Sequence, residues 1–191
     1  MRYFPLALAA GLLLAGCAPK EPLPSFYVLT RPIGSGGSPV KSGQPRVYVE
    51  RVAVPPYLAR TNLASRGAGS QIIYSPSARW AAPLDQGIAG AVADNLNRLG
   101  VGAAGFQPSI QPPPHQYEVT LRIVRFEGTQ DGDVILSAQW QVTPSGSSSP
   151  VASRAANIRR TGWQSGDYAT MATLLADEVA SLSREIARAV R

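Results

Sequence analysis

Enzymatic chemistry needs a base, a nucleophile or a set of metal ligands, and this chain is poor in all three. Its single histidine, His115, follows a run of three prolines, and its single cysteine is Cys17. One imidazole and one thiol are too few ligands for a zinc site. No Gly-x-Ser-x-Gly elbow is present, and His115 is the only side chain that could serve a serine as base. It reads instead as a surface residue. Gly67-Ala68-Gly69 lacks the third glycine of a dinucleotide loop and precedes a predicted strand, not a helix. Asp131 and Asp133 invite a calcium reading, but two carboxylates on a hairpin are ordinary turn residues. Carboxylate pairs suited to glycoside chemistry are not singled out by anything in the sequence. No catalytic residue, metal or cofactor is expected, and the weight falls on a binding or scaffolding protein.

Cys17 is the exception. Arg2 gives a short positive start, and Tyr3 to Gly16 carries no charge. That run is shorter than the ~20 apolar residues that span a bilayer, and it fits the apolar region of a secretory signal. Leu14-Ala15-Gly16-Cys17 resembles the bacterial lipobox, in which cleavage before the cysteine leaves its sulfur carrying a diacylglyceryl group. A thioether has no redox or metal role left. Two or more acyl chains anchor a protein stably without spanning the membrane. Ala18 is not Asp, so by resemblance to bacterial sorting nothing retains the chain at the inner membrane. The expected location is the periplasmic face of the outer membrane. Three segments follow: signal peptide 1–16, lipidated tether 17–24 and folded domain 25–191.

The formal charge is +6, with 18 Lys+Arg against 12 Asp+Glu, and only Lys20 and Lys41 are lysines. The basic excess could face anionic headgroups or an acidic partner, or be ordinary surface. No run of five basic residues exists, so nucleic acid is not an expected ligand. Without a second cysteine no internal disulfide can form, and the fold rests on its hydrophobic core.

The elements that must position any site can be read from periodicity. Residues 18–24 are a proline-rich tether. Strands are expected at Ser25–Thr30, Arg46–Val54 and Gln71–Ser75, with Arg79-Trp80 on a further strand after a turn at Ser75-Pro76. In Arg46–Val54 the phase shifts at Glu50-Arg51, putting Val52 and Val54 opposite Val47 and Val49. A bulge or double-sided burial would explain the shift. Pro83–Leu99 is a helix with Leu84, Ile88, Ala91, Val92, Leu96 and Leu99 on one stripe, stopped by Gly100. Val101–Phe106 is a short strand. Tyr117–Phe126, Val134–Val142 and Val151–Arg160 form an antiparallel meander, its first turn at Thr129–Asp133. Asp167 caps a final helix, 168–189, with Met171, Leu174, Leu175, Val179, Leu182 and Ile186 inward. The order β-β-β-α-β-β-β-β-α predicts a single α/β (α+β) domain, a mixed sheet with an antiparallel meander packed by two amphipathic helices.

Several segments, taken in order, carry a family likeness. Phe26-Tyr27-Val28-Leu29 follows the tether. Val52-Ala53-Val54-Pro55-Pro56-Tyr57-Leu58-Ala59-Arg60 leads into Asn62-Leu63-Ala64-Ser65-Arg66. Arg79-Trp80-Ala81-Ala82-Pro83-Leu84 opens the first helix. With the meander, the closing helix and the lipobox, the chain resembles the ABC-type transport auxiliary lipoproteins, the family of paraquat-inducible protein C. One departure is Ala81-Ala82, where an acidic residue is common in the family.

The resemblance implies an accessory role in moving lipids between inner and outer membranes. Its implied partners are an ABC transporter or related permease and periplasmic proteins of the mammalian-cell-entry class. The lipoprotein would receive or hold the outer-membrane end of their tube, or assemble as a homo-oligomeric ring itself. Tyr57 and Leu58 on the Pro55–Arg66 loop, with Arg60 and Arg66 nearby, have the composition of a contact hot spot. They could equally plug the sheet end. Trp80 could anchor an interface or sit in the core. The alternatives are a lipid carrier with its own acyl pocket and an envelope hydrolase.

Overall fold

The computed structural model describes residues 23–29, 43–105 and 111–191. Cys17, the lipobox residues Leu14, Ala15 and Gly16, and Thr30 and Phe106 at the ends of two expected strands lie outside the described residues. In chain order the elements are β1 (Ser25–Tyr27), β2 (Arg46–Ala53), a 3-10 turn (Pro56–Leu58), β3 (Asn62–Arg66), β4 (Ile72–Trp80), α1 (Leu84–Arg98), β5 (Gly102–Gly105), β6 (Tyr117–Thr129), β7 (Asp133–Pro144), β8 (Ala152–Thr161) and α2 (Tyr168–Ala189).

Strand β6 is the axis of one eight-stranded mixed sheet. Antiparallel β7 runs along one edge from Tyr117↔Pro144 to Gly128↔Val134, and β8 continues the meander beyond it. The other edge is shared. Parallel β2 takes the first half, from Val47↔Tyr117 to Ala53↔Arg122, and parallel β3 takes the end at Ser65↔Gly128 and Arg66↔Thr129. β5 extends the sheet outside β2, while β4 and β1 extend it outside β3. The mixed α/β domain, meander and two helices match the sequence expectation.

Both helices cover one face. Val47, Val49 and Val52 of β2, Val119, Leu121 and Ile123 of β6, and Val134, Leu136, Ala138, Trp140 and Val142 of β7 share one core with Ile88, Val92 and Leu96 of α1 and Met171, Leu175, Val179, Leu182 and Ile186 of α2. Helix α1 lies on β2 and β5, α2 lies on β7 and β8, and the helices touch each other. Gly100 (φ +79°) ends α1 in the left-handed conformation that favours glycine, and the Asp167 carboxylate accepts from the Thr170 N–H to cap α2. Gly105 has a packing reason: a Cβ there would stand 2.9 Å from the Ala89 carbonyl oxygen, so only glycine lets α1 settle onto β5. Among the described residues no helix is long and apolar enough to cross a membrane.

One open alternative is decided and two expectations are corrected. The register slips between Val49 and Arg51, so the phase shift is the bulge: Glu50 is its extra residue and Val52 returns to the core face beside Val49. Asn62–Arg66 is a strand, not part of a loop. Its apolar content is only Leu63 and Ala64, too short for a visible period, and its place between β4 and β6 is set by tertiary pairing. The turn at Ser75-Pro76 does not divide the chain, and β4 is one nine-residue strand. Pro76 is tolerated because the β3 register breaks between Tyr74 and Arg79, where no ladder N–H is needed. The Ser75 hydroxyl accepts the Ser77 and Ala78 N–H groups there, and Asn62 Nδ2 donates to the Ser75 carbonyl.

Candidate functional site: an arginine and tyrosine cluster around Glu127

A second bulge shapes the end of β6. The register slips between Ile123 and Arg125, pushing Val124 outward to 47 % exposure. Phe126 stays on the core face, where its ring packs 6.0 Å from Trp80. Arg125 and Glu127 then project from the face without helices, beneath the 3-10 turn that follows β2.

Glu127 is fully buried there and its carboxylate is the hub of the site. One oxygen accepts from Arg66 Nε at 2.6 Å and Arg125 Nε at 3.0 Å, and the other from the Tyr57 hydroxyl at 2.8 Å. Burial and the Glu127 carboxylate push the Tyr57 phenol up to about 12, so Tyr57 remains a donor throughout the physiological range. The hydrogen bond to Glu127 also raises Arg66 above the ordinary guanidinium value. The Tyr74 hydroxyl donates to the Tyr57 carbonyl at 2.9 Å and fixes the turn. The Arg60 guanidinium lies 4.9 Å from the centre of the Tyr74 ring, a cation–π contact. Chain segments far apart in sequence thus meet on one carboxylate, with two guanidinium groups on the acid and a third, Arg60, on the neighbouring Tyr74 ring. Such a surface suits contact with a partner bearing carboxylates.

The residues expected to form a contact loop divide. Tyr57, Arg60 and Arg66 come together in this cluster. Leu58 does not: it is 4 % exposed and belongs to the core, because the 3-10 turn folds it inward to close the sheet end. Trp80 is likewise a core residue at 6 % exposure. His115, expected at the surface, is half-buried, its ring 5.2 Å from that of Tyr48 and bonded to the Pro113 carbonyl and Glu118. Asp133 of the hairpin is buried and paired with Arg159, a structural role.

Two glutamates escaped the sequence reading. Glu127 sits just past the alternating run that ends at Phe126, and nothing local marks it. Glu178 was legible: it stands three residues after Leu175 and four before Leu182, on the apolar stripe of α2. It is fully buried, its oxygens lack hydrogen-bond partners, and desolvation outweighs Arg160 to push its carboxyl up to about 8.

The larger hollows of the surface are wide, with mixed polar and apolar walls. One crosses the open face of the sheet past Arg51, Arg122, Gln139 and Gln141. A smaller, mostly apolar slot of 190 Å³ lies between β1 and α1, walled by Tyr27, Leu29, Trp80 and Leu84. That is below the roughly 300–1,000 Å³ of pockets that bury a ligand. No group of three or more potential metal-ligating side chains occurs among the described residues.

The comparisons agree with this architecture. The chain is 30 % identical over 190 residues to the intermembrane transport lipoprotein PqiC of Escherichia coli K12, covering 96 % of this chain and 97 % of that one, with the same figures for PqiC of Shigella flexneri. It superposes on the crystal structure of an uncharacterized protein with a TM-score of 0.71 at 26 % identity, over 89 % of this chain and all of the other. A Xanthomonas campestris protein at 17 % identity shares the fold, with a TM-score of 0.63 over 85 % of this chain and 92 % of its own. The model of the ABC-type transport auxiliary lipoprotein component matches residues 27–187, from the first strand to the last turn of α2, and the chain belongs to that family.

Proposed function

We propose that this chain is an outer-membrane-anchored periplasmic lipoprotein that serves an intermembrane lipid transport system by protein–protein contact. Its anchor is the acylated Cys17, and its partners are a mammalian-cell-entry-type periplasmic protein and, through it, an ABC-type or related permease. The contact surface is the cluster of Tyr57, Arg60, Arg66, Tyr74 and Arg125 around Glu127, with Val124 at its side. The observation that carries this reading is the hub itself: a buried carboxylate presenting arginines and aromatic rings at the surface, the composition of an interface anchor. The likeness to PqiC supports the transport role. The lipid-carrier reading fares worse because the almost wholly apolar slot is small, and the larger hollow along α1 and β5 is edged by Gln86, Asp94, Asn97 and Gln111.

The test is a photo-crosslinking amino acid at Val124 in the intact envelope, with one at Ser147 as control. The expected product is a covalent adduct to a mammalian-cell-entry-type protein from position 124 alone, lost on Arg60→Glu. Stoichiometric phospholipid bound inside the isolated domain, with no protein adduct at 124, would overturn the proposal in favour of a carrier.

A further inference from the structure

Large apolar side chains exposed among the described residues are few, and they are not scattered evenly. Of six, three fall in one short stretch: Leu23, Phe26 and Val28, at 82, 62 and 61 % exposure. The strand's alternation is the cause. Tyr27 packs against the core and Leu29 is buried, so Phe26 and Val28 must point the other way. A solvated strand would carry polar residues there. The register sets Arg79 of β4 beside Phe26 in the same row, and Arg79 Nε is buried without a hydrogen-bond partner. The small apolar slot between β1 and α1 opens beside Val28.

We infer that this strip is a second membrane contact, made by the protein itself: β1 lies on the bilayer surface with Phe26 and Val28 among the acyl chains and Arg79 toward anionic headgroups. The inference rests on the reading of Cys17 as acylated. Leu23 is the sixth residue after Cys17. An extended chain spans at most ~3.6 Å per residue, so Leu23 stays within about 22 Å of the anchored residue and Val28, the far end of the strip, within about 40 Å. The tether therefore holds one apolar phase beside the strip at high effective concentration, which a second copy or a soluble partner lacks. Exposed aliphatic and aromatic groups next to a cation are the composition that settles at a headgroup boundary. The contact would fix how the domain stands on the membrane, a restraint that one point of attachment does not give.

The test uses the full mature chain on vesicles of phosphatidylethanolamine and phosphatidylglycerol. Acylation consumes the native thiol, so Phe26→Cys and Ser153→Cys each offer one site for a fluorescent label; Ser153 is exposed on β8. The label at 26 should be quenched by brominated acyl chains and lose its quenching by aqueous iodide. The label at 153 should do the reverse. Val28→Cys repeats the measurement should Phe26→Cys fold poorly. Iodide quenching at 26 equal to that at 153, on protein that floats with the vesicles, overturns the inference. Shielding from iodide without quenching by the brominated lipid overturns it too, in favour of a second copy. A chain that does not float and keeps a free thiol at position 17 by mass overturns the anchor reading, and the strip falls with it.

Discussion

Glu127 and Glu178 are both fully buried, and they live in opposite circumstances. Glu127, at the end of β6, accepts from two guanidinium groups and a phenol. Glu178, on the inner face of α2, has no hydrogen-bond partner for either oxygen and is held protonated well above the usual carboxylate range, at about 8. Burial alone therefore does not decide what a carboxyl group does; the donors that reach it do. Where donors converge, the acid organises a charged surface. Where they do not, it stays neutral and serves as part of a core.

The largest effect should come from stripping the donors of Glu127. Arg66→Met with Arg125→Met keeps aliphatic bulk but leaves a buried carboxylate with Tyr57 alone. A loss of about 3 kcal/mol in urea unfolding is expected, the lower end for a broken buried pair, because both arginines still touch water. An unchanged midpoint would erase the contrast between the two acids.

Next comes Glu178→Gln. The folded state holds a proton that the unfolded chain releases near pH 4.5, so the wild type should lose stability as pH rises from there to about 8 and level off beyond. Each pH unit of that window is worth ~1.36 kcal/mol, so the loss, after an allowance for relaxation, is on the order of 3 kcal/mol. The amide does not titrate. Melting temperatures of variant and wild type should nearly coincide at pH 5 and separate in the variant's favour at pH 9. A gap independent of pH would mean that Glu178 is paired after all.

The smallest effect sharpens the picture of the hub. Tyr57→Phe removes one neutral donor of three and should cost about 1 kcal/mol in urea unfolding. That cost should stay constant up to pH 10, because the phenol ionises only near 12. A cost that vanishes by pH 10 would place the phenol's titration lower and loosen the network.

Much of the framework was legible. Alternation over Tyr117–Ile123 and Val134–Val142 gave the meander, and the stripe from Met171 to Ile186 gave the last helix, because each buries one face against one core. What local pattern could not supply was pairing across distance. β3 is a strand because β6 and β4 flank it, and Leu58 points inward because the 3-10 turn closes over the core. The site was half visible: the aromatic and arginine composition of the Pro55–Arg66 segment pointed to it. The acid that assembles it lies 61 residues from Arg66 and 70 from Tyr57.

The shared edge of β6 also dictates an order of assembly. Among the described residues β2 pairs with β5 and β6 alone, both of which follow it in the chain, and its first contact with the β6 region closes a span of 70 residues. Contacts that distant are slow to form. An emerging chain would therefore leave both edges of β2 unpaired until β5 and β6 are available, even where α1 already covers its face, which makes this strand the natural point for a chaperone to hold and for premature aggregation to begin.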